Sequence, residues 1–208
     1  MYLPKHFSVE DPAILAQLIA EYPLATIVAN LEGHFEINHL PLMLSVDKTK
    51  LYGHVARMNP LTKVAGGSNT SVTAIFHGPN AYVTPSWYPS KKETGKVVPT
   101  WNYAAVHAEG SIKLIEDPQW LRSHVSQMTN IHEPTHQSTW KLDDAPEEYV
   151  QMMLKAIIGI EIEVSSLLGK LKLSQNRPAE DYDAVVGKFQ NSPQEALQEM
   201  LKYMRPSK

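Results

Sequence analysis

The sequence predicts a mainly β, α+β protein: an antiparallel barrel or sandwich with helices appended. Three observations predict it. Six short runs rich in β-branched and aromatic residues lie between positions 24 and 115, punctuated by Gly, Pro and Asn. From Asp117 onward the apolar residues recur at helical spacing, with one alternating stretch, Ile160 to Ser165, set among the helices. No internal repeat, low-complexity tract or clear linker divides the chain. All 208 residues are therefore expected to form one domain, 1–208, with 1–116 supplying most of the sheet and 117–208 the helices and a completing strand.

Composition narrows the class. A chain of this length buries roughly 70 % of its unfolded surface. Hydrophobic residues make up 43 % and charged residues 20 %, as in an ordinary globular protein. The net charge of −3 gives no general pull toward nucleic acid or anionic membrane. There is no cysteine, which excludes disulfides, thiolate metal sites and cysteine nucleophiles and suits a reducing compartment. The start, Met1 to Phe7, lacks the apolar core of a signal peptide, and no apolar run approaches the ~20 residues of a membrane span. A cytoplasmic protein without a membrane partner is expected.

The elements follow in order. Asp11-Pro12 caps and opens a helix carrying Ile14, Leu15, Leu18 and Ile19, which ends near Pro23. Leu24 to Ala29 is a strand closed by a turn from Asn30 to Gly33. Phe35 to Ser45 is a second strand, which Pro41 interrupts and so assigns to an edge or bulge. Lys50 to Ala56 is a third, followed by a turn at Arg57 to Pro60 and a polar stretch ending in Gly66-Gly67. Ser71 to Phe76 and Ala81 to Thr84 are two more, separated by His77-Gly78-Pro79-Asn80. The sixth begins after Pro99, which has no N–H for a ladder, and extends toward Ile115. Helices are then expected from Asp117-Pro118 and over Pro146 to Ile158, and strand from Ile160 that Leu167 to Gln175 extends. Pro178 opens a further helix, and Ser192-Pro193-Gln194-Glu195 reads as a capping box for the last.

Along the sixth strand, Trp101, Tyr103, Ala105, His107 and Glu109 share one face. Asn102, Ala104, Val106 and Ala108 share the other. Small alanines between aromatics leave a shallow slot for a flat molecule, and Asn102 offers a donor and an acceptor that suit the edge of a heterocyclic amide. The same pattern also suits a plain core strand. At Gly53-His54-Val55-Ala56-Arg57-Met58-Asn59-Pro60, a strand ends in a turn whose arginine and amides suit a phosphate. A solvated arginine is the plain alternative. Lys170 and Lys172 share a strand face, with Gln175, Asn176 and Arg177 crowding the following loop. This is either a second anion locus or a basic surface turn. His54, His77 and His107 lack metal-ligand spacing, and Pro134 breaks the helix that would align His132 with His136, so no metal is expected. No Gly-x-Ser-x-Gly elbow, P-loop or dinucleotide fingerprint is present, and no catalytic residue stands out.

Six motifs in order carry a resemblance over nearly the whole chain. They are Met1 to Phe7, His39-Leu40-Pro41, Gly53 to Pro60, Phe76 to Tyr88, Val98 to Tyr103, and Lys172-Leu173-Ser174-Gln175-Asn176-Arg177. Together they resemble the FMN-binding split-barrel proteins of the PaiB type, described as negative transcriptional regulators of bacteria. Asp181-Tyr182 departs from the pattern, which favours a basic residue after the acid. The resemblance implies a six-stranded Greek-key split β-barrel, FMN as cofactor, and a homodimer with flavin at the subunit interface.

Carried onto this chain, the resemblance implies phosphate contacts from Arg57 and Asn59, beside His54 and Val55, with Lys172, Gln175 and Arg177 reaching phosphate or ribityl. It further implies main-chain contacts to the ring from His39 and Leu40, and a ring or dimer lining of Trp101, Asn102 and Tyr103.

Three functions follow from the resemblance. A repressor is implied by the family description, although no helix-turn-helix stands out and only Lys91, Lys92 and Lys96 offer a local basic patch for DNA. A flavin-dependent reductase or oxidase of a small molecule is implied by the wider fold, and flavin chemistry needs little from side chains. Haem binding or breakdown rests only on split-barrel relatives and nine histidines.

Overall fold

The computed structural model describes residues 1–31, 33–65 and 70–204. Eight strands run in chain order: β1 Ser8–Val9, β2 Leu24–Leu31, β3 His34–Pro41, β4 Met43–Leu44, β5 Lys50–Ala56, β6 Thr70–Val83, β7 Thr100–Ile115 and β8 Ile157–Lys172. Seven helices join them: α1 Pro12–Glu21, α2 Leu61–Ala65, α3 Lys91–Thr94, α4 Pro118–His132, α5 Glu147–Lys155, α6 Ala179–Gln190 and α7 Glu195–Leu201. Sheet order is β3-β2-β6-β7-β8-β5-β4, with β1 pairing on β8.

Two compact units share these strands. The first comprises Met1–Glu21, His77–His107 and the described residues from Leu168 on; the second comprises the described residues of Tyr22–Phe76 and Ala108–Leu167.

In the second unit, β2 lies between β3 and β6, with Ile27 opposite Asn38 on one side and Ala74 on the other. β5 pairs with β4 and with β8, His54 facing Gly159. Its core is built from alternate residues: Ala25, Ile27 and Ala29 of β2, Val72, Ala74 and Phe76 of β6, and Ile158, Ile160 and Ile162 of β8. Beside it, α4 and α5 close a smaller cluster of Leu121, Leu142, Val150 and Leu154.

In the first unit, β1 pairs with the end of β8, Ser8 opposite Lys170. Helix α1 starts where Asp11 Oδ1 accepts the Ala13 N–H at 2.8 Å, and it buries Leu15, Leu18 and Ile19. Helix α6 buries Val185 and Phe189, and α7 buries Leu197 and Met200.

Several expectations change. Among the described residues eight strands form where six were expected. The expected Phe35–Ser45 strand divides at Leu42 into β3 and β4, as its proline implied, and Leu42 N–H turns away to donate to Pro23 O at 2.9 Å. The two runs at 71–76 and 81–84 are one strand, β6, continuous through Gly78-Pro79. Residues 72, 74 and 76 are buried before that point and 79, 81 and 83 after it, a one-residue slip of the kind a bulge introduces. Two-residue β1 is too short to show a period. The Pro146–Ile158 helix stops at Lys155 because Ile157 begins β8. No capping box forms at Ser192: α7 starts at Glu195 with Gln194 at its cap, and Ser192 Oγ accepts the Gln194 N–H at 3.2 Å. Gly66-Gly67 lies outside the described residues.

β7 starts at Thr100, directly after Pro99, and alternates as expected, with Asn102, Ala104, Val106 and Ala108 buried. Its alanine face, however, is no slot. A Cβ on Gly78 would come within 2.8 Å of Ala104 Cβ, so the neighbouring backbone already occupies that space.

Candidate functional site

The second unit gathers one group of expected residues around the end of β5. Gly53 lets the chain after β3 pack close: a Cβ there would meet Leu42 Cδ2 at 2.7 Å and Pro41 O at 3.2 Å. The turn after β5 is tied to β3 as well, Asn59 Nδ2 donating to Asn38 Oδ1 at 2.7 Å. The motifs around His39-Leu40-Pro41 and Gly53 to Pro60 are therefore brought together, with Asn38 as the link that sequence reasoning missed.

Arg57 is fixed at three points. Its N–H donates to Ala156 O at 3.0 Å, its Nε to Lys155 O at 2.9 Å, and its Nη1 lies 3.5 Å from Glu116 Oε2. Both side chains reach water, 39 % exposed for Arg57 and 72 % for Glu116. The turn amides are less open than expected. Those of Arg57, Asn59, Thr62 and Lys63 donate to backbone carbonyls, and that of Leu61 to Asn59 Oδ1 at 2.8 Å. Any anion here therefore meets the guanidinium rather than a nest of free N–H groups.

His39 is exposed, its Nδ1 3.0 Å from Thr26 Oγ1, while Leu40 and Val55 are buried. His54 sits edge-on to His124 of α4, ring centroids 5.3 Å apart. Burial lowers the His54 pKa. Burial and the His54 charge take His124 down to about 4. Both imidazoles are therefore neutral near pH 7, and His124 Nε2 is buried without a hydrogen-bond partner. A lone histidine inside a helix gave no sequence signal of this pairing.

The first unit gathers the other group, where β7 begins and β8 ends. Trp101 is 55 % exposed and meets Tyr82 edge-on at 6.0 Å. Asn102 points inward: its Oδ1 accepts from Ser174 Oγ at 3.1 Å, and its Nδ2 is buried without a partner. Ser174 holds this geometry with a left-handed backbone, φ 65°. Lys172 Nζ donates to Thr100 Oγ1 and to Trp101 O. Lys170 Nζ donates to Tyr2 O at 3.0 Å and lies 5.3 Å from the Tyr103 ring centroid. Arg177 stacks over Tyr88, 4.8 Å from its ring centroid. Gln175 is closed on its own chain, accepting from Leu173 N–H at 2.6 Å and donating to Leu171 O at 2.5 Å, so its amide is already used. At the departure from the expected pattern, buried Asp181 accepts from Ser90 N–H at 3.1 Å and from Ser90 Oγ at 2.7 Å.

Electrostatics favour an anion beside these cations. Burial, then the charges of Lys170 and Arg177, lower the Lys172 pKa. Among the described residues none of the three forms an ion pair with a carboxylate. The donor set fits flavin mononucleotide: cations for its phosphate and exposed Trp101 for its ring, with buried Asn102 Nδ2 left without a partner beside them in sequence.

Residues 1–166 match a family model described as "Putative FMN-binding domain". The protease synthase and sporulation protein PAI 2 of Bacillus subtilis is 31 % identical over 206 residues, covering 98 % of this chain and 96 % of the relative. The chain belongs to this FMN-binding family. An uncharacterized protein of Emericella nidulans, AN0679, is 35 % identical over 228 residues, covering 92 % of this chain and 91 % of that one. Relatives of this FMN-binding chain are thus fungal as well as bacterial, a wider range than the resemblance implied. Among solved structures, the FAD and haem binding protein from Mycobacterium smegmatis superposes with a TM-score of 0.60 at 14 % identity, covering 79 % of this chain and 73 % of that one. The flavocytochrome Anf3 from Azotobacter vinelandii gives 0.59 at 11 % identity, with coverages of 79 % and 69 %. At such identities these show the fold, a split β-barrel, with FMN the family's cofactor.

Proposed function

We propose that the protein holds FMN as a homodimer and uses it in gene regulation, with Arg57 binding the phosphate. The observation that carries the site is the Arg57 guanidinium. Its Nε donates to Lys155 O while the Arg57 backbone N–H donates to Ala156 O, and among the described residues its paired carboxylate is a largely exposed glutamate that an incoming phosphate displaces at little cost. Asn59 shapes the same turn, with His54 and Val55 behind it in β5, and His39 and Leu40 present backbone beside Pro41. Taken by itself, the first unit offers Lys172 as a cation for phosphate or ribityl, and Trp101 and Tyr103 as aromatic surface for ring or dimer seam. Gln175, closed on its own backbone, and Asn102, buried, act by holding this segment in shape. Bound FMN supplies hydride and single-electron transfer; these residues bind and orient it.

The dimer reading is supported by the outer face of β2 and β3. Register places Leu24, Val28, Phe35 and Ile37 on one sheet face, where Phe35 is 74 % exposed and Leu24 and Ile37 are also exposed. The regulatory role is supported by kinship with the B. subtilis sporulation protein and by the exposed lysines 91, 92 and 96 on and beside α3, which a dimer would double.

A second reading, a flavin-dependent reductase or oxidase of a small molecule, is favoured by the exposed Trp101–Tyr82 pair, a platform open to a planar substrate.

The test begins with the absorbance spectrum and released cofactor mass of the purified protein. Arg57→Ala is expected to weaken FMN binding roughly 10- to 100-fold while leaving the protein folded. Unchanged affinity would sink the phosphate assignment. Salt-sensitive, sequence-selective DNA retention favours regulation, whereas bleaching of bound flavin by NADH or NADPH favours the enzyme.

A further inference from the structure

The first unit contains a cleft of about 740 Å³ whose lining shares only Gln175 and Arg177 with the residues considered for flavin. Its walls come from the residues before and within α1, from the end of β8, and from α6. The volume is within the roughly 300–1,000 Å³ of small-molecule pockets. Its chemistry is two-signed. Lys5 and Arg177 line it, and so do Glu10 and Asp11. Yet among the described residues no ion pair joins either cation to either carboxylate. Asp11 uses one oxygen to cap α1, and Glu10 is exposed. Opposite charges that share a cavity and stay apart leave both signs free for one ligand.

Between them the surface is apolar and firm. Leu171 and Leu173 are buried side chains of the strand end, and Val9 and Ile14 are half-buried beside the cleft. Tyr203, also lining it, is held by its hydroxyl on Glu21 at 2.7 Å, so that wall is fixed.

We infer that this cleft binds a small peptide-like zwitterion, its carboxylate toward Lys5 and Arg177, its ammonium toward Glu10 and Asp11, and its apolar side chains on the leucine floor. The cleft is larger than one amino acid needs, so two or three residues fit it better than one. The inference rests on the reading that the flavin phosphate goes to Arg57, which leaves Arg177 to the cleft.

The probe is the dipeptide Leu-Phe, titrated by calorimetry into the purified protein as isolated, with flavin content recorded by absorbance. Saturable binding is expected. N-acetyl-Leu-Phe, which lacks the ammonium, and Leu-Phe amide, which lacks the carboxylate, are each expected to bind at least tenfold more weakly. Lys5→Ala and Glu10→Gln, both at exposed side chains, are expected to weaken Leu-Phe binding about fivefold or more with flavin content unchanged. Three results overturn the inference: no heat up to millimolar peptide, equal binding of all three peptides (an apolar cleft only), or binding that neither substitution alters.

Discussion

The imidazole of His124 lies face to face with the indole of Trp120, ring centroids 4.9 Å apart and planes 9° from parallel. The edge of His54 meets the same imidazole. α4 is thus fixed to β5 by three rings, two of them titratable, and among the described residues no carboxylate pairs with either imidazole.

That stack makes stability depend on pH with a definite sign. The folded-state pKa of His124 is about 4, set first by burial and then by His54, against an ordinary value of 6.5. The unfolded chain therefore binds the proton more readily. The stabilising effect of a neutral His124 is complete above about pH 6.5 and is lost as pH falls toward about 4. Urea unfolding across that window is expected to lose on the order of 2 kcal/mol from this group. His124→Phe is expected to flatten the slope; an unchanged slope would show that other groups set it.

Gly110→Ala tests how closely β7 and β8 approach. Its new Cβ would lie 2.2 Å from Glu163 O, a backbone atom that cannot swing aside. A loss of about 3 kcal/mol or more is expected, lowering Tm by roughly 10 °C in a chain of this size. A Tm within a degree or two of wild type would contradict the packing described.

Asp181→Asn keeps the volume and removes the charge that accepts two hydrogen bonds from Ser90. A cost of about 1–3 kcal/mol is expected. Combining it with Ser90→Ala should cost clearly less than the two changes summed, because they remove the same contact. Simple additivity in chemical denaturation would show the pair to be uncoupled.

Ile37→Arg places a charge on the apolar outer face of β2 and β3. If the proposed dimer uses this face, light scattering coupled to gel filtration will shift from the dimer mass to the monomer mass, with the circular dichroism spectrum retained. A dimer that survives the substitution would place the seam elsewhere.

Local rules made some elements legible. β5 has the predicted bounds, Lys50–Ala56, because its turn residues flank it on both sides. β7 begins after Pro99 because a missing N–H acts wherever the chain goes next. β6 was not legible: Gly78-Pro79 carries turn punctuation, yet the strand runs on past Phe76, where pairing with β2 ends, with Pro79 buried. The candidate site divides the same way. Arg57 stood out from its motif, but its partners Glu116 and Lys155 lie far off in sequence and only the fold brings them near. Gln175 and Asn102 stood out as polar groups for a ligand, yet a ring closed on Leu171 and Leu173 occupies one and a buried bond to Ser174 half-occupies the other. Residue type announces chemistry; it does not announce which groups the protein has already spent on itself.

The interleaving of the two units along the chain sets an order of assembly. Every segment of the second is present once residue 167 has been synthesised, whereas the first lacks the end of β8, α6 and α7 until nearly the whole chain exists. On the ribosome the second unit can therefore condense while the first still waits, with Leu15, Leu18 and Ile19 of α1 uncovered. A premature stop just after residue 166, where the family match ends, would leave that helix without the later partners of its own unit. Such a truncated chain should be a substrate for chaperones and proteases rather than a smaller flavoprotein.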